Sequence, residues 1–219
     1  MNSIIVPVRH GLGMAITALI LGAFWAAYMA THHEQLHGAF ELEAEKVEQA
    51  QMQHLMEDVS TESMQAHSHD MASQTAHEHE ADNHAVNGQH SHSGSLAQDA
   101  MQRLLRGHIH FMGIGVLAAV LLLMTAFTSL KPIIKKLLGW TFGLGALGYP
   151  PAWILMGFRT VELGPQAAEA SVMWLFGPAV GLLLASMSVL LATLLVETFS
   201  LQKTPFIRQF FHSETGASS

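Results

Sequence analysis

The sequence predicts an all-α integral membrane protein: a bundle of four transmembrane helices with a long, His-rich, partly disordered outward loop between the first and second. Three observations carry that reading. The 219-residue chain is 50% hydrophobic but only 12% charged, about half the charge of an ordinary globular domain. A soluble domain of this composition would expose more apolar surface than its charges could solvate. The mean hydropathy of +0.29 is nonetheless too low for a chain that is apolar throughout. Long uncharged runs combined with one very polar insert reconcile these facts.

A bilayer core of about 30 Å takes roughly 20 apolar residues in a helix. Four segments meet that length: residues 11–31, 111–130, 137–158 and 172–196, none of which contains Asp, Glu, Lys or Arg. Trp25, Tyr28, Trp140, Tyr149, Trp153 and Trp174 stand near their ends, where amphipathic rings favour the membrane interface. The first segment reads as an uncleaved helix rather than a signal peptide. Its leading region carries only Arg9, its apolar stretch is long, and Tyr28 spoils a small-x-small cleavage pattern before Ala30.

Orientation follows from Lys and Arg. With the N-terminus inside, the inner segments hold Arg9, Lys131, Lys135, Lys136, Lys203 and Arg208, and the outer ones Lys46, Arg103, Arg106 and Arg159. The short inner loop with three lysines is the strongest cue. Both termini are therefore expected in the cytoplasm and the insert outside, in the periplasm if the membrane is a bacterial inner membrane. The chain divides into residues 1–31 (N-terminus and first span), 32–107 (insert), 108–199 (three further spans) and 200–219 (cytoplasmic tail).

The insert has three parts. Residues 32–59 hold helix formers and no proline, and read as a continuation of the first span with a break expected at Gly38. Residues 60–94 are Ser, His, Asp, Asn, Gly and Glu with almost no large apolar side chains. Such a stretch has no means of burying a core and is expected to be disordered without metal. Residues 95–107 read as a short amphipathic helix, with Ser95 and Gln98 spaced as a capping box.

Histidine is the compositional outlier, with 15 in the chain, while cysteine is absent. No disulfide, thiolate metal site, iron–sulfur cluster or Cys nucleophile is available, and the net charge of −7 argues against nucleic acid as a partner. The polar stretch contains His67, His69, His77, His79, His84, His90 and His92, with Met52, Met56, Met64 and Met71 nearby. Imidazole suits Cu, Zn and Ni, and thioether adds affinity for Cu(I). One reading is a capture loop for such an ion, and the other is a solvated linker. A second set is sharper. His33 and His37 lie four apart at the outer end of the first span, with Glu41 one turn on, so the three share a helix face while His32 points elsewhere. Arg106, His108 and His110 open the second span at the same membrane surface. His108 and His110 diverge by about 160° on one helix, so at most one of them faces a shared site.

Away from their ends the spans are apolar apart from Thr17, Thr125, Thr141, Ser186, Ser188 and Thr193, which is too little for a self-contained ion transporter. Gly139 and Gly143 allow close helix approach. Pro150 and Pro151 are expected to kink or interrupt the third span, leaving either room for a flat ligand or simple close packing. Arg159, with Arg106, stands where it could pair with carboxylates such as haem propionates, or merely anchor the interface.

The run from Arg106 through Gly107, His108, Ile109 and His110 to Gly115 resembles the R/G-x-H-x-H opening of a helix in small membrane proteins related to haem–copper oxidase and nitric-oxide-reductase subunit I. The resemblance is confined to residues 106–115 and implies a haem or metal role for His108 or His110. The later inward histidines of that family are missing here. Three functions are consistent with these residues. The first is a redox or sensory protein holding haem or a transition metal through His33 or His37 and His108 or His110. The second is an accessory protein that handles Cu, Zn or Ni and passes it to a membrane or periplasmic partner. The third is a cofactor-free subunit of a larger membrane complex. No nucleophile–base pair, phosphate loop or carboxylate dyad points to an enzyme acting on its own.

Overall fold

The computed structural model describes residues 2–65, 93–201, 204, 207 and 209–211. A short helix, α1 (Asn2–Ile5), and a single 3-10 turn (Val6–Val8) lead into four long helices: α2 (Arg9–Gln65), α3 (Ser93–Phe127), α4 (Pro132–Leu163) and α5 (Pro165–Thr198). At 1.5 Å per residue α2 is about 85 Å long, far more than a bilayer needs. It carries the first apolar run and its polar continuation as one helix. The break expected at Gly38 is absent. Leu36, Phe40 and Ala44 pack on α3 on either side of it, which outweighs the roughly 1 kcal/mol that glycine costs inside a helix.

α3 likewise merges the short amphipathic segment with the second span, and it begins at Ser93. Ser95 therefore lies inside the helix and is not its cap. α4 runs through Pro150 and Pro151 as one helix, so of the kink or interruption expected there the interruption is absent. The histidine-rich residues 66–92, and with them the capture loop, lie outside the described residues, as does most of the tail beyond Leu201.

α2, α3 and α5 are long and apolar enough to cross a membrane. α4 is long but diluted by glycine, proline, Trp and Tyr. Its position explains that composition, because α4 touches α2, α3 and α5 and so faces protein on most sides. The packing is accordingly not a symmetric four-helix bundle. α2, α3 and α4 form a mutually packed trio, and α5 lies on the far side of α4, meeting α3 only slightly.

Three apolar clusters stack along the trio. The one beside the start of α2 joins Val8, Leu122, Leu138, Phe142 and Leu190 with Leu130 and Phe211. The last two come together because Lys131 donates its backbone N–H to Phe210 O (3.1 Å), folding the tail onto the α3–α4 loop. The middle cluster is only Ala15, Ala118 and Ala146. Here the helices approach so closely that a Cβ at Gly11 would strike the Gly139 backbone, and one at Gly143 would sit 2.5 Å from Met14 Sδ. The third cluster, beside the start of α3, holds Met29, Phe40, Ala44, Ala97, Ala100, Met101, Leu104 and Val161. The hydroxyls within the runs bond within their own helices: Thr17, Thr125, Ser188 and Thr193 each donate to the carbonyl four residues back. Ser186 joins α5 to α4 through Thr141 Oγ1 at 2.6 Å.

The link between α4 and α5 is Gly164 alone. Its φ of 77° and ψ of 161° form a conformation that only glycine adopts cheaply. Pro165 then starts α5, where the lack of an N–H costs nothing.

Candidate functional site

The middle of α2 and the N-terminal half of α3 enclose a groove of about 910 Å³. His33, Glu34 and His37 line it from α2, and Met101, Gln102 and His108 from α3. The two helices are held at this level by the third apolar cluster and by Trp25 Nε1, which donates to Leu104 O at 3.1 Å. Arg103, only 9% exposed, donates to Asp99 Oδ2 at 2.9 Å one turn back along α3. The groove is therefore built on two rigid, cross-braced elements rather than on loops.

The α2 face is the i, i+4 series predicted from spacing. The rings of His33 and His37 lie 6.3 Å apart between centroids, and His37 Nδ1 stands 3.2 Å from Glu41 Oε1. A carboxylate on one ring nitrogen orients the imidazole and leaves the other nitrogen for a ligand. His32 turns away, onto the Tyr28 ring and carbonyl.

On the α3 face, His108 Nδ1 lies 3.0 Å from Gly22 O. A carbonyl only accepts, so in the neutral imidazole Nδ1 carries the hydrogen and Nε2 keeps its lone pair. Gly22 makes this bond reachable, because a Cβ there would come within 2.8 Å of Phe111 Cβ. His110 leaves the groove, as two-residue spacing requires. It meets Tyr149 edge-on at 4.9 Å and stacks on Trp153 at 5.5 Å.

The structure thus brings His33, His37 and His108 to one groove and places His32 and His110 elsewhere. Neither arginine lines it. The Arg106 guanidinium packs 5.3 Å above the Trp153 ring, and Arg159 Nη1 reaches Ser171 O at 3.4 Å, tying the end of α4 to the start of α5. Among the described residues no three His, Asp or Glu side chains converge tightly enough to hold an ion as they stand. His67, His69, His77, His79, His84, His90 and His92 lie outside the described residues.

Sequence reasoning missed two features. Met29 and Met101 also line the groove. Met29 stands four before His33 and Met101 seven before His108, so helical spacing already placed them on these faces. The second is the ring cluster of His110, Tyr149, Trp153 and Phe176, drawn from three helices. Within it Trp153 Nε1 is buried and has no hydrogen-bond partner among the described residues. A buried unpaired donor costs roughly 1–3 kcal/mol. Comparison with family models, curated proteins and solved structures finds no match.

Proposed function

We propose that this chain is a multi-pass protein of a bacterial inner membrane that binds a transition-metal ion in the outward groove between α2 and α3. The observation that carries the reading is the donor set. Three imidazoles from two facing helices line one groove, and His108 is fixed in the tautomer that leaves Nε2 free. Met29 and Met101 add thioethers to the same walls. Imidazole with thioether suits copper, including Cu(I). The ligands are near one another but not closed around a centre, which fits an exchangeable site that takes up and hands on an ion. On this reading the histidines at 67–92 supply the first capture step, and the next acceptor is a membrane or periplasmic protein.

Haem is the weaker reading. The groove volume would admit it, but Arg106 and Arg159, the partners expected for its propionates, are both engaged elsewhere.

Four spans are part of the proposal. α4 follows α3 after four residues and precedes α5 across Gly164 alone. If α3 and α5 cross the bilayer, links this short carry α4 across as well. Both termini then lie in the cytoplasm with the lysines of residues 131–136, and the groove faces outward.

The test uses full-length protein in which the seven histidines at 67–92 are replaced by serine, titrated with Cu(I) and Cu(II). We expect one tight site per chain to survive, and His108→Ala combined with His33→Ala to abolish it. A loop-substituted protein that binds no copper would overturn the reading. A Soret band in the reduced spectrum of the untreated protein would replace the ion with haem.

A further inference from the structure

Away from the metal groove, the starts of α2 and α4 lie against each other. Their backbones cross at Gly11 and Gly139, where a Cβ on Gly11 would strike the Gly139 carbonyl. The crossing brings His10 onto Trp140, with ring centroids 5.8 Å apart and planes 26° from parallel. Arg9 Nε donates to His10 Nε2 at 3.4 Å, so the guanidinium lies beside this ring pair. Lys136 stands one turn before Trp140 on α4. Both residues line a trough of about 290 Å³, together with Ile133, Ile134 and Leu137.

The trough is apolar along its floor, where Ile133 and Leu137 are 69% and 64% exposed, and it carries Lys136 in its wall. Lys136 and Arg9 are themselves exposed, and neither forms an ion pair among the described residues. Lys135, the next residue along, is committed elsewhere, because its Nζ donates to Ala126 O at 2.8 Å. A ligand that fits has to be apolar and anionic at once. A free anion would leave Ile133, Leu137 and Trp140 uncovered, and an uncharged lipid would leave two cations unmatched. On the membrane reading this patch lies at the cytoplasmic edge of the bilayer. There an indole favours the interface, a lysine stem covers apolar surface while its amine stays among headgroups, and anionic lipids are at hand.

We propose that the trough at the starts of α2 and α4 binds one anionic phospholipid, its phosphate between Lys136 Nζ and the Arg9 guanidinium and an acyl chain over Leu137 and Trp140. The His10–Trp140 stack holds the two helix starts, and with them the two cations, at one patch. The proposal rests on the membrane reading but not on the copper site.

The test titrates the full chain in mild detergent with palmitoyl-oleoyl phosphatidylglycerol or phosphatidylcholine, and counts retained lipids by native mass spectrometry. Wild type should keep one phosphatidylglycerol at concentrations where it keeps no phosphatidylcholine. Lys136→Gln should weaken retention about fivefold, and combined with Arg9→Gln about 30-fold, from roughly 1 kcal/mol per charge at a membrane surface. Lys46→Gln removes the same charge far along α2 and should change nothing. Excess inorganic phosphate should not displace the lipid. Equal retention of the two lipids overturns the proposal, and so does displacement by phosphate, which would mark a bare anion site. A folded double variant that binds like wild type, or K46Q binding as weakly as K136Q, also overturns it. Circular dichroism checks the helices, and if the double variant fails to fold, K136Q decides. A chain released by carbonate washing of membranes would sink the membrane reading itself, a separate failure.

Discussion

His108 and His110 stand two residues apart on one helix and meet unlike surroundings. One bonds to a backbone carbonyl beside a polar groove, and the other lies among aromatic rings. Gly22 permits the first of these, because its missing side chain lets α3 come close enough for His108 to reach its carbonyl. Gly22→Val should therefore push α3 outward, cost about 1–3 kcal/mol of stability from overpacking, and weaken copper binding about 10–100-fold through loss of the orienting bond. Denaturant unfolding and copper titration of the same variant check both effects. At the opposite end, Glu197 Oε1 accepts from both the backbone N–H and the hydroxyl of Ser129, each at 2.6 Å. Glu197→Ala should cost about 1.5–3 kcal/mol, as expected for hydrogen bonds to a charged group. Ser129→Ala should cost less, because the backbone donor remains. Equal losses in the two variants would contradict that assignment.

The long helices are continuous where local signals suggested ends. Gly38, Pro150 and Pro151 all lie inside helices, because the packing on either side holds the helical path. Gly164 is the contrast, since its backbone lies in a region closed to side chains. Gly164→Ala should lower stability by about 1–3 kcal/mol. Gly113→Ala, where an added Cβ meets nothing, should be neutral or stabilising by up to about 1 kcal/mol. Parallel unfolding of the two variants distinguishes strain at a turn from a general intolerance of added methyl groups. A G164A chain as stable as wild type would remove the strain argument.

Across the whole molecule, the trio of α2, α3 and α4 carries the cross-braced groove, while α5 rests mainly on α4. The tail contributes to the cluster beside the start of α2 through Phe211, which is 6% exposed. Phe211→Ala should cost about 3–5 kcal/mol. A loss under about 1 kcal/mol would mean that the tail does not stay docked. The cysteine-free sequence also makes topology directly testable. Gln53→Cys should react with an impermeant maleimide in intact spheroplasts, and Lys136→Cys only after lysis. The reverse pattern would invert the proposed orientation.

The sequence by itself determined that this chain is helical and membrane-like, because uncharged runs of bilayer length have few other solutions. It also determined that His33, His37 and Glu41 share one face, that His32 does not, and that His108 and His110 part, because helical periodicity alone sets those directions. Only the tertiary structure decided which of the last two histidines joins the α2 face, since that depends on how α3 is rotated against α2. The same holds for the two arginines, read as partners of one ligand and found on Trp153 and Ser171. The peripheral place of α5, the docked Phe211 and the unpartnered Trp153 Nε1 also left no local signal. Each is a relation between residues far apart in the chain, and side-chain packing across helices, not spacing along one of them, brings such residues together.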